Sequence, residues 1–365
     1  MIIGDTRCGK GNTVEGLFKY FGVGEVISAD NASFAGLVGG MDKINDHWVV
    51  RWGKFSMNDL GILAIDEASE IKKEDWTRLS RIRSEGIAEI AKIQARITNA
   101  RTRQIYISNP PKKIIANYSY GIQALVDVVE SPEDIARFDY CLVVSHDEVS
   151  IADINTPQPK IAPMYSAELE RKLIMWVWSR KHDEIKFSED AEKLLYERAI
   201  KLASIFDFSI PLIQGENVRI KLAKIAVAFA GRVYSNKNYG QFLYVTSVHV
   251  ECAYYFLRLI YRKDECGYLT YSQIRKSSEK TDFTKIESYF DSFIRSGGGE
   301  NVKKCLLLNT NITISDLMEY LNLPREVAVE LISKLLKYGC IVKKYSHYVK
   351  TPAFNVWLKK EIMNN

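Results

Sequence analysis

Short runs of hydrophobic residues, each ending in a polar residue, recur through the first 150 positions. The runs lie at residues 1–3, 60–65, 104–108 and 140–145. Each is too short for a buried helix, and the residues that follow are typical of the ends of buried strands. Stretches of helical periodicity separate the runs, beginning with residues 12–21. This alternation predicts a doubly wound α/β sheet over residues 1–150, with its ligand at the carboxyl ends of the strands.

Beyond residue 150 the hydrophobic period becomes helical. The predicted helices lie at residues 167–181, 188–205, 218–234 and 246–261. A proline-containing linker precedes these helices. For the linker and the helices together, residues 151–265, the pattern predicts an all-α lid. Residues 266–299 have a mixed pattern and end in Ser-Gly-Gly-Gly, which predicts a second linker.

The last segment, residues 300–365, has the pattern of a winged helix. Helices are predicted at 302–308, 316–321 and 324–338, and two strands at 340–344 and 348–351. This segment carries four of the five excess positive charges of the chain. A basic terminal domain is a candidate anion-binding surface, although an ordinary solvated face gives the same count.

Composition narrows the protein class but does not identify a function. With 47% hydrophobic and 26% charged residues, the chain is neither disordered nor collagen-like. Its six cysteines are scattered without a CxxC pair, so we expect a reducing compartment rather than a disulfide framework. No apolar run approaches the roughly 20 residues that span a bilayer, and residues 1–5 do not have the pattern of a signal peptide. We therefore expect a cytoplasmic or nucleoid-associated protein with no membrane partner.

The turn after the first strand has the spacing G-x-x-x-x-G-K of a P-loop. Glycines allow backbone N–H groups to surround phosphates, and the lysine reaches the β- and γ-phosphates. The residues expected to bind the nucleotide are Gly4, Asp5, Thr6, Arg7, Cys8, Gly9, Lys10, Gly11 and Asn12. Gly11 departs from the pattern, because a Ser or Thr hydroxyl normally ligates Mg²⁺ at that position.

Two later strands end in polar residues that suit ATP hydrolysis. Asp66 and Glu67 follow the strand at 60–65, where a P-loop ATPase has a magnesium-binding acid and a residue that polarises the attacking water. Asn109 ends the next strand and is a candidate sensor of the γ-phosphate. The structural alternatives are a solvated acidic turn and an ordinary Asn-Pro turn.

Together these motifs resemble, in order, the AAA+ domain of the minichromosome maintenance (MCM) helicases. The matching segments are residues 4–10 (Walker A), 31–37 (NASFAGL), 48–53 (WVVRWG), 61–67 (Walker B), 90–92 (IAK), 99–102 (NART), 109–110 (sensor 1) and 136–139 (ARFD). The resemblance is good to about residue 145 and weaker to about 262. A divergent relative from a plasmid, virus or genomic island is favoured over a cellular MCM, and the short first strand suggests that the numbering begins inside a longer protein.

The resemblance implies roles for residues of the nucleotide site, with ATP as substrate and Mg²⁺ as cofactor. Lys10 would neutralise phosphate charge, Asp66 would hold Mg²⁺ and Glu67 would activate the water that Asn109 positions. Arg137 would act as an arginine finger on the nucleotide of the next subunit, and Arg219 as sensor 2. Sites completed in trans imply a homo-oligomer, and the family norm is a hexamer. The structural alternative for both arginines is a surface salt bridge.

The resemblance also implies contacts with DNA. Lys92 would lie at the tip of a hairpin that contacts single-stranded DNA in the central channel of the ring. A second insert near residues 39–47 is another candidate pore hairpin. The winged helix would present Lys334, Lys337, Lys343 and Lys344 to DNA, with duplex DNA as a candidate ligand. Many winged helices bind proteins instead, so both ligands stay open.

The function predicted first is therefore an ATP-dependent DNA helicase motor of an MCM-like hexameric ring. The alternative is a nucleotide-gated DNA-binding or loading module with weak hydrolysis, which the missing hydroxyl at Gly11 would favour. A third interpretation, an AAA+ remodeler of proteins, is disfavoured by the winged helix and the lysine hairpin.

Overall fold

The computed structural model describes residues 1–91, 95–148, 163–279, 283–294, 299–309, 311–344 and 347–363. The chain divides into two units, one of Met1–Ser204 with Phe208–Tyr268 and one of Ile205–Asp207 with Leu269–Asn365. Among the described residues, no helix combines the length and the apolar character needed to cross a membrane.

The first unit begins with a parallel sheet. Its strands and two associated hairpins are β1 (Ile2–Gly4), β2 (Glu25–Ser28), β3 (Gly39–Ile44), β4 (His47–Trp52), β5 (Ile62–Asp66), β6 (Ile87–Ala91), β7 (Ala95–Asn99), β8 (Arg103–Ser108) and β9 (Leu142–Val144). The central sheet has the order β2-β5-β8-β1-β9, and all its pairs are parallel. This order places β8 between β1 and β5, so the ends of these three strands are neighbours.

Helices connect and cover these strands. They are α1 (Lys10–Phe21), α2 (Phe34–Leu37), α3 (Lys54–Met57), α4 (Lys73–Arg78), α5 (Ser80–Glu85), α6 (Gln123–Val129) and α7 (Pro132–Ala136). The predicted strands are confirmed because a central parallel strand is buried on both faces: Leu63, Ala64 and Ile65 of β5 are fully buried. The edge strand β2 is missing from the prediction, since its four residues are only half-buried and begin and end in polar residues.

The helical subdomain, residues 167–262, completes the first unit. Its elements are α8 (Ala167–Trp178), β10 (Ile185–Phe187), α9 (Glu189–Ile205), α10 (Val218–Arg232), β11 (Asn236–Lys237), β12 (Phe242–Val245) and α11 (Ser247–Arg262). The predicted helices are confirmed, but the expectation of an all-α region is wrong. A small sheet of order β10-β12-β11 lies within it. Strands of two to four residues are too short to give a recognisable alternation.

The second unit contains the elements predicted for a winged helix and additional helices. Its elements, with the helix that joins it to the first unit, are α12 (Tyr268–Glu279), α13 (Phe283–Ile294), α14 (Gly299–Leu308), β13 (Asn311–Ile312), α15 (Ile314–Leu321), α16 (Arg325–Lys337), β14 (Ile341–Lys344), β15 (His347–Lys350) and α17 (Pro352–Met363). The antiparallel sheet has the order β13-β15-β14. The linker between residues 149 and 162 lies outside the described residues.

The segment 266–299, for which the sequence pattern predicts a linker, contains two helices. Ile286 and Phe290 of α13 are fully buried in the core of the second unit, next to Phe354 of α17. Phe283, Ile286 and Phe290 recur at helical spacing, so this core stabilises the segment as a helix. Of the predicted Ser-Gly-Gly-Gly break, residues 296–298 lie outside the described part of the chain, and Gly299 begins α14.

Candidate functional site

The P-loop joins the end of β1 to the start of α1 at the carboxyl edge of the central sheet. At Gly4, a Cβ atom would come within 2.2 Å of the carbonyl oxygen of Val144 on the neighbouring strand, so only glycine fits. Gly9 has φ +72°, a left-handed conformation that glycine adopts without steric cost. The helix begins at the next residue, so its N-terminus faces the loop. Glycine is therefore required at position 4 by the lack of space and favoured at position 9 by the backbone conformation.

Lys10 directs its ammonium group back over the loop. Its Nζ donates hydrogen bonds to the carbonyl oxygens of Gly4 (2.9 Å) and Asp5 (2.8 Å) and to Oδ1 of Asn109 (3.0 Å). Burial lowers the pKa of Lys10, while nearby acids that include Asp66 oppose the shift. The lysine thus links the P-loop to the end of β8.

Asn109 bridges the P-loop and the acidic strand. Its Oδ1 accepts from Lys10, and its Nδ2 donates to Oε2 of Glu67 over 3.5 Å. A cation on one side and a carboxylate on the other determine which way the amide points. This chain of contacts follows from the strand order, because β8 lies between β1 and β5.

Asp66 and Glu67 form the acidic side of the site. Glu67 has φ +52°, which is uncommon for a residue other than glycine, and its backbone N–H donates to Oδ1 of Asp66 over 2.9 Å. The other oxygen, Oδ2 of Asp66, lies 2.9 Å from the point where a Cβ atom would stand on Gly11. The missing side chain at Gly11 allows the Asp66 carboxylate to lie against the first turn of α1.

Asp5 is buried, and its carboxylate is occupied by the protein itself. Oδ1 accepts from the backbone N–H of Ile115 (2.6 Å), while Oδ2 accepts from the N–H of His146 (3.0 Å) and the hydroxyl of Ser145 (3.3 Å). The side chain therefore secures the loop to the segments after β8 and β9. Asp5 contacts Lys10 through its backbone carbonyl oxygen and not through its carboxylate.

The glycine loop, the chain of contacts from Lys10 to Glu67 and the two acids lie at one edge of a parallel sheet, as in a P-loop ATPase. Residues 1–156 match the family model of the MCM P-loop domain. The chain carries an MCM-like AAA+ domain. No match to the chain was found among curated proteins. The domain is that of a family of helicases and ATPases, and it implies nucleotide binding, typically with Mg²⁺.

The donors of the MCM P-loop domain suit Mg²⁺. This ion keeps several waters and takes one or two carboxylates besides phosphate oxygens. Asp66 offers a carboxylate oxygen next to the loop, and Glu67 follows it in the chain. At Gly11 the usual hydroxyl ligand is absent, so Asp66 would carry a larger share of the binding.

The candidate arginine finger of the domain, Arg137, lies directly after α7. Its Nη1 donates to Oδ1 of Asp134 over 2.9 Å, and 30% of its side chain is exposed. Asp134 also accepts from Arg83, a buried arginine of α5. The bonded partner of Arg137 is therefore Asp134 rather than Lys10, Glu67 or Asn109.

Arg219, the candidate sensor 2, lies at the second position of α10. Its Nη1 donates to the hydroxyl of Tyr196 over 2.9 Å, and the residue is exposed. On the same helix, Lys224 forms an ion pair with Asp139 over 3.0 Å. Asp139 lies two residues after Arg137 in the chain. The helix of Arg219 is thus bonded to the segment of Arg137.

Both segments that were candidates for pore hairpins contain pairs of antiparallel strands. β6 and β7 pair antiparallel up to Ala91 and Ala95, while Lys92 itself lies outside the described residues. The β3–β4 hairpin turns at Asn45 and Asp46, both with positive φ. On it Trp48 is 50% exposed. An exposed tryptophan on a hairpin is a stacking surface that the sequence pattern alone does not reveal.

The candidate DNA-binding lysines of the second unit differ in their surroundings. Lys337 and Lys343 are exposed, whereas Lys334 and Lys344 are half-buried, and Nζ of Lys334 lies 5.9 Å from the centre of the Tyr289 ring. Lys350, on the same hairpin, donates to the carbonyl oxygens of Leu306 and, over 3.0 Å, Leu307. These bonds cap the end of α14. Lys343 and Lys337 are the better candidates for phosphate contacts.

Proposed function

We propose that the chain is the motor part of an ATP-dependent DNA helicase that works as an MCM-like hexameric ring. The observation that carries this proposal is the Lys10–Asn109–Glu67 chain of contacts. It brings a lysine, an amide and a carboxylate, the groups that phosphate binding and hydrolysis require, to one edge of the sheet. The match of residues 1–156 to the MCM P-loop domain supports the helicase class.

Lys10, Asn109 and Glu67 would each have a role in the hydrolysis of ATP. Lys10 would exchange its loop carbonyls for oxygens of the β- and γ-phosphates and neutralise their charge. Glu67 would accept a proton from the attacking water, which Asn109 orients through its amide. Mg²⁺, when held by Asp66, would stabilise the charge that develops on the phosphates.

The surroundings of the two arginines support hydrolysis at subunit boundaries. Arg137 and Arg219 are bonded to Asp134 and Tyr196 and not to the groups around Lys10. An arginine finger supplied by a neighbour completes such a site from outside and stabilises charge in the transition state. In a closed ring every subunit supplies one finger and receives another, so each nucleotide site is complete.

The hairpins support a path for single-stranded DNA. Trp48 offers a ring on which bases can stack, and Lys43 of β3 would contact phosphate. Lys92, the candidate from the sequence for the other hairpin, lies outside the described residues. Gly39 of β3 lies close to Ile90 of β6, since a Cβ atom on Gly39 would come within 2.8 Å of the Ile90 Cδ1. The two hairpins therefore lie side by side, and ATP-driven motion of both would move the strand.

The test of the ATPase assignment is the Glu67→Gln variant. We expect ATP turnover in the presence of single-stranded DNA to fall by about 100-fold or more, with ATP binding retained, because the amide cannot accept the proton. Glu70→Gln is the matched control, since Glu70 is exposed in the turn that follows and should keep wild-type turnover. Unchanged turnover and unwinding in Glu67→Gln would refute the assignment.

The alternative of a nucleotide-gated loading module rests on Gly11. With glycine in place of a Ser or Thr at position 11, binding without fast hydrolysis would suffice for a module that opens and closes around DNA. DNA-stimulated turnover of the protein separates the two functions. Turnover that DNA increases strongly supports the motor, and slow turnover that DNA leaves unchanged supports the loading module.

A further inference from the structure

Arg83 and Asp134 form a buried ion pair next to the candidate arginine finger. Only 4% of the Arg83 side chain and 3% of the Asp134 side chain are exposed. Nη1 of Arg83 donates to Oδ1 of Asp134 over 2.9 Å, and Nη2 donates to the Asp134 carbonyl oxygen over 2.7 Å. Arg83 therefore holds both the side chain and the backbone of Asp134.

The same carboxylate oxygen also binds Arg137. Nη1 of Arg137 donates to Oδ1 of Asp134 over 2.9 Å, so one oxygen is shared by two guanidinium groups. Arg83 further lies over the ring of Phe138, 4.5 Å from its centre, and this residue follows Arg137 in the chain. The ring of Phe138 packs edge-on against that of Tyr106 at 5.7 Å. Arg83 thus contacts the chain on both sides of Arg137.

We propose that Arg83 is a positioning residue for Arg137, acting through Asp134, in the hydrolysis of ATP by a neighbouring subunit. This inference rests on the proposed trans role of Arg137. A partly exposed arginine has many rotamers, and a displacement of about 1 Å in a positioned group can cost about 100-fold in rate. Asp134 limits those rotamers, and it can do so as a buried charge because Arg83 compensates it.

The pair serves this purpose better than an isolated carboxylate could. An unpaired buried Asp134 would lose its charge or draw Arg137 inward as its only cation. With Arg83 bound to Oδ1 and to the carbonyl, the carboxylate is held in place whether or not Arg137 leaves it. Arg137 can therefore exchange Asp134 for a phosphate without exposing the core to an uncompensated charge.

The experiment replaces the buried pair by apolar residues of similar size, Arg83→Met with Asp134→Leu in one chain. Such replacements commonly preserve stability, since no lone charge remains. We expect kcat for ATP with single-stranded DNA to fall by about 10- to 100-fold while KM for ATP stays within about twofold. Adding Arg137→Ala to this variant should lower kcat no further than Arg137→Ala alone. Arg83→Lys is the second variant if the double replacement does not fold: it keeps the charge that compensates Asp134 but cannot bond Oδ1 and the carbonyl oxygen together, so kcat should again fall with KM unchanged.

Arg198→Met is the matched control. Its guanidinium pairs with Glu251 and lies 5.1 Å from the centre of the Tyr254 ring, so it forms the same kind of arginine–carboxylate pair beside an aromatic ring on helices α9 and α11, with more of both side chains exposed. It should keep wild-type kcat. If Arg137→Ala is nearly inactive while the apolar pair keeps wild-type kcat, or if the separate losses multiply in the triple variant, the positioning role is refuted. If Arg137→Ala keeps wild-type turnover, the trans role itself is refuted.

Discussion

At the scale of single residues, Gly11 is where the chain departs from the P-loop pattern. The Asp66 carboxylate occupies the side of α1 from which a serine or threonine would project, 2.9 Å from the Cβ position. The acid therefore lies closer to the loop than a side chain at position 11 would allow. A magnesium ion at this site would depend on Asp66 and on water rather than on a hydroxyl.

This arrangement predicts a specific effect of Gly11→Ala. The new methyl group would displace Asp66, and the carboxylate is also bonded to the N–H of Glu67. We expect the Mg²⁺ concentration that gives half-maximal nucleotide binding to rise by about tenfold, a loss of about 1.4 kcal/mol. Titration of a fluorescent ATP analogue with Mg²⁺ measures it.

Gly16→Ala on the same helix is the control for Gly11→Ala. A Cβ atom on Gly16 would meet no atom within 4 Å, so alanine should leave Mg²⁺ dependence unchanged and stabilise α1 by about 0.5–1 kcal/mol. An equal response of the two variants would mean that Asp66 is not the group affected.

The cluster of Lys10, Asn109 and Glu67 could be predicted from the sequence because each residue ends a recognisable strand or loop. The roles of Asp5 and Arg83 could not. Asp5 bonds to Ile115 and His146, more than 100 residues away in the chain, and no periodicity reveals such a contact. The i, i+3 spacing of Asp134 and Arg137 was a signal for their pairing, but nothing in the pattern pointed to Arg83.

At the scale of elements, α10 contains a lysine in an apolar environment. Lys221 is 4% exposed, its Nζ donates to the carbonyl oxygen of Leu212 over 2.6 Å, and burial lowers its pKa to about 8. The folded state therefore holds this proton less tightly than the unfolded chain does. Stability must rise with pH between about 8 and 10.5, and the cost of the buried charge is largest below that window.

The comparison of wild type with Lys221→Met isolates this effect. Between pH 7 and 10, we expect the free energy of unfolding of the wild type to rise relative to the variant by roughly 2–3 kcal/mol. Urea unfolding followed by circular dichroism measures both proteins across the range. A difference that does not change with pH would contradict the buried, weakly basic lysine.

The β14–β15 hairpin provides a second element-scale prediction. Lys343 is exposed, so Lys343→Ala should weaken binding to duplex DNA and lower the slope of log K against log salt by about 1, without loss of stability. Lys350 caps α14, so Lys350→Ala should instead destabilise the second unit by about 1.5–3 kcal/mol. An unchanged salt slope in Lys343→Ala would leave protein docking as the role of this hairpin.

Elements were predictable where burial gives them a strong pattern. β5 is buried on both faces and α11 begins with a threonine cap, and the sequence pattern predicted both elements. The short strands β10 to β12 and helix α13 were not, because two to four residues carry too little pattern and α13 depends on the core of the second unit. Helix α17 had a signal in Thr351 and Pro352, a cap and a first-turn proline, that could have located it.

At the scale of the whole molecule, the chain has one unit with an MCM P-loop domain and one unit with a basic helical and hairpin fold. The separation of the sheet from the later helices was predictable from the change of hydrophobic period. The prediction of an oligomer rests on the motifs alone, because only their motifs distinguish the two candidate trans arginines from other surface arginines. A trans role of these arginines therefore has to be measured in the oligomer.

The most direct test of the ring motor mixes two inactive variants, Glu67→Gln and Arg137→Ala. Each should hydrolyse ATP very slowly by itself, because one lacks the base and the other lacks the finger. In random mixed rings, about a quarter of the interfaces combine an intact Glu67 with a neighbour's intact Arg137. We expect the mixture to regain about a quarter of wild-type turnover. Mixed oligomers that stay as inactive as either variant would contradict it.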